Sequence, residues 1–327
     1  MPPYLDQQKI RVFGHNMVGH GRLPSSTRPV PGRLETLLMK DLCHVNVVQL
    51  LFVVGMWHDQ QQLCRDKYFE FADGTLADEL QAVKEKASPP FTRMEVKLLG
   101  YQVLPADRPL AYLHAPGTRL CHADLKPPNI LLKKSGLLKI SGLLKLSDFG
   151  SAKRIEGEKK RDDPCRVTRF YRAPELCLGN DSFGLAVEMW AAGCVLAEMS
   201  LGRPPAERMV EGASSRAQLL GRASRAWFGL TSLPAQRAPT RKKLQQLRHS
   251  LFNNTPAEEV DLVVNHLLVF EPGRRASADD ACDHRHFDTL RLPNAKLPDG
   301  RPPPLEHGQF KMRKLRRTNV NAWKLMV

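Results

Sequence analysis

Three features are missing from this 327-residue sequence. Its seven cysteines are odd in number and form no Cys-x-x-Cys pair, which argues against a disulfide framework and a cysteine zinc site. The longest apolar run, 45–57, is too short to cross a membrane and contains Asn46 and Gln49. The first residues lack the basic and apolar stretches of a signal peptide. We therefore expect an intracellular chain, cytoplasmic or nuclear, without a membrane partner.

Acidic residues are also relatively few: the sequence contains 34 Asp and Glu but 49 Lys and Arg, which gives a net charge of +15. Such a charge can attract nucleotides, phosphoproteins, nucleic acid or anionic membranes. The basic residues are scattered, however, and their densest cluster, 311–317, has no interleaved aromatics. We interpret most of them as a solvated surface, and the pattern argues against nucleic acid as a partner.

Hydrophobic periodicity predicts few strands early in the chain and many helices later. A helical pattern starts at Leu34, and strands are expected over 45–54 and 67–71. A helical pattern over 94–114 should be broken at its two internal prolines, since an interior proline costs about 3 kcal/mol. The order of elements predicts an α+β fold with a small lobe and a larger helical lobe.

The later part of the chain contains a short duplication and three further helical segments. Residues 135–140 and 141–146 repeat the pattern Ser-Gly-Leu-Leu-Lys-apolar, and one copy can form a strand while the other lengthens a hairpin loop. The clearest helix is expected over 188–201, with two more between 256 and 286.

Residues 122–129, His-Ala-Asp-Leu-Lys-Pro-Pro-Asn, match the spacing of the protein-kinase catalytic loop H-R-D-x-x-x-x-N, with Ala123 in place of Arg. Asp124 can accept the proton of an attacking hydroxyl group, and Lys126 can neutralise charge on a transferring phosphoryl group. Asn129 can coordinate Mg²⁺ from the same loop. Phosphoryl transfer needs this kind of positioning and charge neutralisation more than covalent chemistry.

Two more motifs follow in the order that a kinase requires. Asp148-Phe149-Gly150 provides a carboxylate for a phosphate-bridging metal ion and a glycine for a sharp turn. The third motif is Ala173-Pro174-Glu175, and Arg275 follows late in the chain. The resemblance to a kinase implies that Glu175 and Arg275 form a buried structural ion pair.

The flanking residues resemble one family of Ser/Thr protein kinases, the glycogen synthase kinase-3 (shaggy-like) family. The matching segments are 147–153 (Ser-Asp-Phe-Gly-Ser-Ala-Lys), 169–176 (Arg-Phe-Tyr-Arg-Ala-Pro-Glu-Leu), 190–198 (Trp-Ala-Ala-Gly-Cys-Val-Leu-Ala-Glu) and the closing stretch 281–301. In the first part of the chain, 34–54 also matches, with Glu35 in the place of the αC-helix glutamate.

The resemblance implies a two-lobed Ser/Thr kinase that uses ATP and Mg²⁺ and acts on protein substrates. It divides the chain into a divergent, shortened N-lobe (1–72), a C-lobe (73–297) and a Pro-rich, basic tail (298–327). The residues that it implies for the site are Asp124 and Lys126 for catalysis, Asn129 and Asp148 for the metal, and Gly14, Gly19, Glu35, Glu70, Ala72 and Leu131 for the nucleotide.

The small lobe departs from the family pattern. The middle position between Gly14 and Gly19 is Asn16, and no lysine occurs between Lys9 and Lys40 to bind the phosphates and pair with Glu35. Arg22 or Arg28 could replace that lysine, although arginine and lysine are not interchangeable.

The family's preference for already phosphorylated substrates depends on three basic residues, and only Lys153 remains, because the other two fall on Leu34 and Ala123. The activation-loop tyrosine falls on Cys165, and Glu188 replaces a helix Asp that holds the catalytic loop. Two hypotheses follow: a Ser/Thr kinase with an atypical grip on the nucleotide, or a pseudokinase that serves as a protein-binding scaffold. The sequence does not indicate an oligomeric state.

Overall fold

The computed structural model describes residues 33–58, 62–104, 109–133, 140, 142–155, 169–177, 184–205, 255–269, 271–292 and 294–303. Its helices are α1 (Arg33–Asp41), α2 (Leu76–Lys84), α3 (Arg93–Val103), α4 (Pro109–His114), α5 (Pro174–Cys177), α6 (Ala186–Leu201), α7 (Ala257–Val260), which continues as a π-helix (Asp261–Leu267), α8 (Ala278–Cys282) and α9 (Asp288–Arg291). Its strands are β1 (Leu50–His58), β2 (Gln62–Phe69), β3 (Gly74–Thr75), β4 (Leu120–Cys121), β5 (Ile130–Leu132), β6 (Leu144–Leu146) and β7 (Lys153–Arg154).

The first part of the chain forms α1 and the antiparallel pair β1–β2. The strand expected from residue 45 begins only at Leu50, so that boundary was wrong. The reason is that Val47 forms an isolated parallel bridge with Leu146, and the Asn46 side chain donates a 2.7 Å hydrogen bond to the Leu144 carbonyl. These contacts attach the segment before β1 to the larger part of the molecule.

Two short sheets lie in the larger part. Strand β5 lies between β3 and β6, with Ile130 opposite Leu146 and Leu131 opposite Thr75, while β4 pairs with β7. The second copy of the duplicated segment thus supplies strand β6, because its apolar residues pair with β5 and are buried. Most of the first copy, 134–139, lies outside the described residues.

Local sequence signals determine several helix ends. Helices α2 and α3 begin with capping boxes, in which Thr75 pairs with Asp78 and Thr92 pairs with Glu95. The predicted break is confirmed, since α3 ends at Val103 and α4 begins at Pro109. Proline suits a first helical position because its missing N–H would have no partner there.

Helix α6 is the centre of the helical part, and almost all of its residues are buried. Trp190 is 1% exposed. A Cβ atom at Gly193 would lie 2.8 Å from Leu267 Cβ, so only glycine lets the π-helix pack this close to α6. Burial on every side explains why this segment is mostly apolar and has no polar face, and its two glutamates, Glu188 and Glu198, are themselves buried.

The predicted ion pair between Glu175 and Arg275 is confirmed. The guanidinium group donates to both carboxylate oxygens, at 2.9 and 3.1 Å, and the Arg275 side chain is fully buried. Arg275 also donates to the carbonyls of Ala186 and Val269 and lies 5.3 Å from the Trp190 ring. One side chain therefore connects α5, α6 and the segment after the π-helix.

Candidate active site

The catalytic-loop residues lie between β4 and β5 and are tied together by their own side chains. Lys126 Nζ is 2.7 Å from Asp124 Oδ2. Asn129 Nδ2 donates to the Asp124 carbonyl at 2.8 Å and to its carboxylate at 3.3 Å. Asp124 and Asn129 are 7% and 5% exposed, so both groups are held in defined positions below the surface. The structure thus brings Asp124, Lys126 and Asn129 into one cluster.

The Asp148-Phe149-Gly150 turn is attached to this cluster through Ser147. The Ser147 N–H donates to the Asn129 carbonyl at 2.9 Å, and the His122 ring lies 2.8 Å from the Ser147 carbonyl. Phe149 is fully buried and meets the His122 ring edge-on, with centroids 4.7 Å apart. Asp148 therefore follows directly after a residue that is bonded to Asn129.

Two non-glycine residues at the site adopt left-handed backbone conformations. Ala123 and Asp148 both have φ of 62°, a conformation that costs a non-glycine residue about 1–2 kcal/mol. Asp148 caps the turn after it, because its carboxylate accepts a hydrogen bond from the Gly150 N–H at 3.3 Å. Strained residues of this kind concentrate at functional sites, where the surrounding contacts maintain them.

Glu188 of α6 holds the catalytic-loop backbone although it replaces the shorter family aspartate. Its Oε1 accepts hydrogen bonds from the N–H groups of His122 and Ala123, the second at 3.0 Å. Its Oε2 pairs with His114 of α4. Complete burial would raise the pKa of Glu188, but the hydrogen bond and charge of His114 outweigh burial and leave this pKa below its ordinary value.

The αC-type glutamate, Glu35 of α1, forms an ion pair with Lys67 of β2. The family pattern places this lysine before the glutamate in the chain, so the sequence did not predict Lys67, which follows it, as the partner. The available signal was a cation inside a strand that should be buried. Gly14, Gly19, Arg22 and Arg28 lie outside the described residues.

The residues expected at the nucleotide base lie in and beside the connection between β2 and β3. Ala72 is 1% exposed, and Leu131 of β5 is 5% exposed. The Glu70 carboxylate accepts hydrogen bonds from Lys145 at 2.6 Å, from Lys133 at 2.9 Å and from the Gln49 N–H at 2.9 Å.

Burial opposes ionisation of Glu70, but the hydrogen bonds from both lysines outweigh it and hold its pKa below the ordinary value. The Glu70 side chain therefore serves to fix the connection. The Glu70 backbone N–H donates to the Gln49 carbonyl at 3.1 Å, and the expected contact of Glu70 with the nucleotide stays a prediction.

The oxygen donors at the site suit a hard divalent cation. Asn129 uses its amide nitrogen on Asp124, which directs its amide oxygen elsewhere, and Asp148 provides a carboxylate. Mg²⁺ is typically bound by one or two such groups together with substrate phosphates and water. Asn129 and Asp148 are therefore chemically fitted to hold it.

A second group of possible metal ligands, Asp261, His266 and His284, lies far along the chain. The His284 Nδ1 accepts a hydrogen bond from the His286 backbone N–H, so the neutral ring carries its proton on Nε2, which faces Asp261 at 3.2 Å. Burial keeps the pKa of His284 below its ordinary value. A metal ion at Nε2 would have to displace that proton, and we interpret the group as a structural hydrogen-bond cluster.

A phosphoryl-transfer site needs a carboxylate that can act as a general base, an ammonium group beside it and oxygen donors for a cation. The catalytic loop and Asp148 offer these groups, all on loops at short strands. A family model described as the protein kinase domain matches residues 29–287, and the chain belongs to that family. The expected fold class, a small sheet-containing lobe with a helical lobe, is confirmed. Membership also implies ATP, a divalent metal ion and protein substrates in general. Among the described residues, no helix has the length and apolar character needed to cross a membrane.

Proposed function

We propose that this chain is an active Ser/Thr protein kinase that transfers the γ-phosphoryl group of MgATP to protein substrates, and that it is a divergent member of the glycogen synthase kinase-3 (shaggy-like) group. The observation that carries the proposal is the hydrogen-bonded cluster of Asp124, Lys126 and Asn129, joined to Asp148 through Ser147. The group assignment and the preference for Ser and Thr rest on the resemblance in the sequence.

In this proposal Asp124 orients the substrate hydroxyl and accepts its proton. Lys126, 2.7 Å from Asp124, stabilises the negative charge that develops next to that carboxylate. Asn129 and Asp148 hold Mg²⁺, and the backbone of Glu70 and Ala72, with Leu131, forms the place for the base. When bound, MgATP supplies the phosphoryl group and the cation that offsets its charge.

The domain limits are part of the same proposal. We place the N-lobe at 1–72, the C-lobe at 73–297 and the tail at 298–327. The described residues support a division near residue 72, because the segment after β2 leads through Ala72 into β3, which pairs with β5 of the other sheet.

Transfer of labelled phosphate from MgATP to a protein substrate tests the proposal. Asp124→Asn keeps the size of the side chain but removes the base, and we expect it to lower the rate by roughly 10²- to 10⁴-fold. The matched control is Asp279→Asn on exposed α8, which we expect to retain activity. A wild-type chain without transferase activity would contradict the proposal, and phosphoamino acid analysis of the product tests the preference for Ser and Thr.

We further propose that this kinase does not require a phosphate already present on its substrate. Ala123, at one of the family's three basic positions, is 4% exposed and offers no charge. Leu34 occupies the second position, which leaves Lys153 alone. Equal rates on matched peptides with and without a preceding phosphoserine are expected, and a preference of tenfold or more for the phosphorylated peptide would contradict this.

The second candidate function is a protein-binding scaffold without catalysis. It is favoured by the absence of any lysine between Lys9 and Lys40 and by Ala123. Thermal unfolding with millimolar MgATP separates the two candidates, because a ligand that binds the native state stabilises it by mass action. No stabilisation would favour the scaffold, whereas a rise in Tm would favour the kinase.

A further inference from the structure

The contact between α1 and β2 provides a lysine where the sequence pattern provides none. Lys67 Nζ and Glu35 Oε2 form a hydrogen-bonded ion pair between residues 32 positions apart. The two side chains are 9% and 14% exposed, so both charges are largely removed from water. The pair is therefore a fixed feature of the small lobe and differs from an exposed surface contact.

The direction of Lys67 follows from its strand. It lies opposite Val53 in the β1–β2 pair, and it shares a face with Phe69, which packs against the hydrophobic core. The neighbouring Tyr68 points the other way and stacks on Phe52, with ring centroids 4.4 Å apart. Lys67 is thus directed from β2 towards α1 by the alternation of the strand.

The pair lies beside the metal-binding turn. A Cβ atom built on Gly150 would lie 3.2 Å from Asp148 Oδ1 and 3.8 Å from Glu35 Oε2. Both carboxylates therefore lie close to the same point of the turn, and their two oxygens are no more than about 7 Å apart. The Lys67 ammonium group is bonded to that Glu35 oxygen, in the neighbourhood of the carboxylate that we assign to Mg²⁺.

Stability alone explains such a pair poorly. The cost of removing two charges from water can exceed their mutual attraction, so a buried ion pair is weak evidence for stabilisation. An ammonium group also has three N–H donors, and one carboxylate oxygen does not use all of them. The arrangement is better suited to a cation that is held in place for anionic oxygens.

We propose that Lys67 is the cation that binds the nucleotide phosphates in this chain, in the role that other members of the family give to a lysine of an earlier strand. Glu35 orients it, and neither Arg22 nor Arg28 is needed for this contact. The inference rests on the proposed function, because it requires that the site takes a nucleoside triphosphate.

The test compares ligands with and without phosphates. Binding of MgATP, MgADP and adenosine is measured by calorimetry for the wild type and for Lys67→Met. A charge-assisted contact to phosphate predicts that the variant binds MgATP and MgADP about 10- to 100-fold more weakly. Adenosine binding should be unchanged. Lys97→Met, at a half-buried position of α3 where Lys97 donates to Thr289, is the matched control and should behave as the wild type.

A second variant separates phosphate binding from folding. Removal of Lys67 alone leaves Glu35 without its partner, whereas the double variant Glu35→Leu/Lys67→Met removes both charges, and such replacements are often neutral or stabilising. We expect the double variant to unfold at a temperature near that of the wild type and still to lose the preference for MgATP over adenosine.

The outcomes can be told apart. If the wild type binds MgATP and the double variant keeps the same preference over adenosine, Lys67 does not bind the phosphates and this inference is overturned while the proposed function stands. If the wild type binds neither MgATP nor MgADP, the proposed function itself is overturned.

Discussion

The two lobes hold their functional groups in different ways. In the large lobe, the catalytic loop is fixed by hydrogen bonds from backbone N–H groups to Glu188 and by the contacts of Asn129 with Asp124. In the small lobe, Glu35 and Lys67 are held by an ion pair between their side chains. Hydrogen bonds to backbone N–H groups do not depend on the side chain, so the contact with Glu188 is kept when residue 123 is alanine. An ion pair depends on its side chains, and here the lysine that pairs with Glu35 comes from β2.

The largest effect is expected when the contact between Glu188 and the catalytic-loop backbone of the large lobe is removed. Glu188→Ala leaves two buried backbone N–H groups without an acceptor and removes the partner of His114. Losing one member of a buried ionic network costs about 3–5 kcal/mol. We expect a loss of this size in the free energy of unfolding, measured by urea denaturation, and a loss of kinase activity.

Glu35→Ala is the matched change in the small lobe, and its effect on unfolding should be smaller. The reason is that Lys67 and Glu35 keep 9% and 14% exposure, so the group left unpaired is less completely removed from water than the N–H groups of His122 and Ala123, which are 0% and 4% exposed. If both variants destabilise the chain equally, the contrast between the two lobes is wrong. Glu188→Asp should fall between the wild type and Glu188→Ala, since it keeps a carboxylate for the loop but is one methylene too short for His114.

The motifs and their order predicted the catalytic loop, the pair of Glu175 and Arg275, and the helix break between Val103 and Pro109. These features depend on local spacing or on residue types with fixed conformational effects. The pairing of Lys67 with Glu35 could not be predicted in this way, because the two residues lie 32 positions apart on different elements. Strand alternation determines the face of β2 on which Lys67 lies, and tertiary packing places α1 against that face.

The local sequence pattern also did not predict the exact limits of the strands or the partners of some side chains. The apolar run from residue 45 is continuous, but its first part bridges to β6 before β1 begins at Leu50. The partners of the Glu70 carboxylate, Lys133 and Lys145, were not predicted either. Lys145 lies in β6 and Lys133 directly follows β5, so both meet Glu70 only after the chain has folded.

The next largest effect is a decrease in the free energy of unfolding of the large lobe as the pH falls. Burial, with a smaller contribution from the charges of Lys97 and His284, lowers the pKa of His286 from 6.5 to about 3. Between these two pH values, His286 is therefore protonated in the unfolded chain but neutral in the native chain. The contribution of His286 to stability is complete above pH 6.5 and is lost as the pH falls towards 3, with a slope of at most about 1.4 kcal/mol per pH unit.

Urea unfolding between pH 7 and 4 measures that slope, and His286→Gln should reduce it. The variant should keep part of the acid sensitivity, because burial also lowers the pKa of His284 below its ordinary value of 6.5, so His284 destabilises the chain in the same direction as the pH falls. Identical slopes for the wild type and His286→Gln would show that the buried histidine does not contribute.

The smallest effect is expected at Ala123, whose backbone N–H donates to Glu188. Ala123 has φ of 62°, which a glycine adopts without strain and a β-branched residue adopts poorly. Ala123→Gly should stabilise the chain by up to about 1 kcal/mol, less the larger entropy of the unfolded glycine, and Ala123→Val should destabilise it. Both keep the N–H that donates to Glu188, so Ala123→Gly should retain kinase activity. A loss of activity with unchanged stability in that variant would mean that the Ala123 methyl group, and not the backbone anchor, positions Asp124.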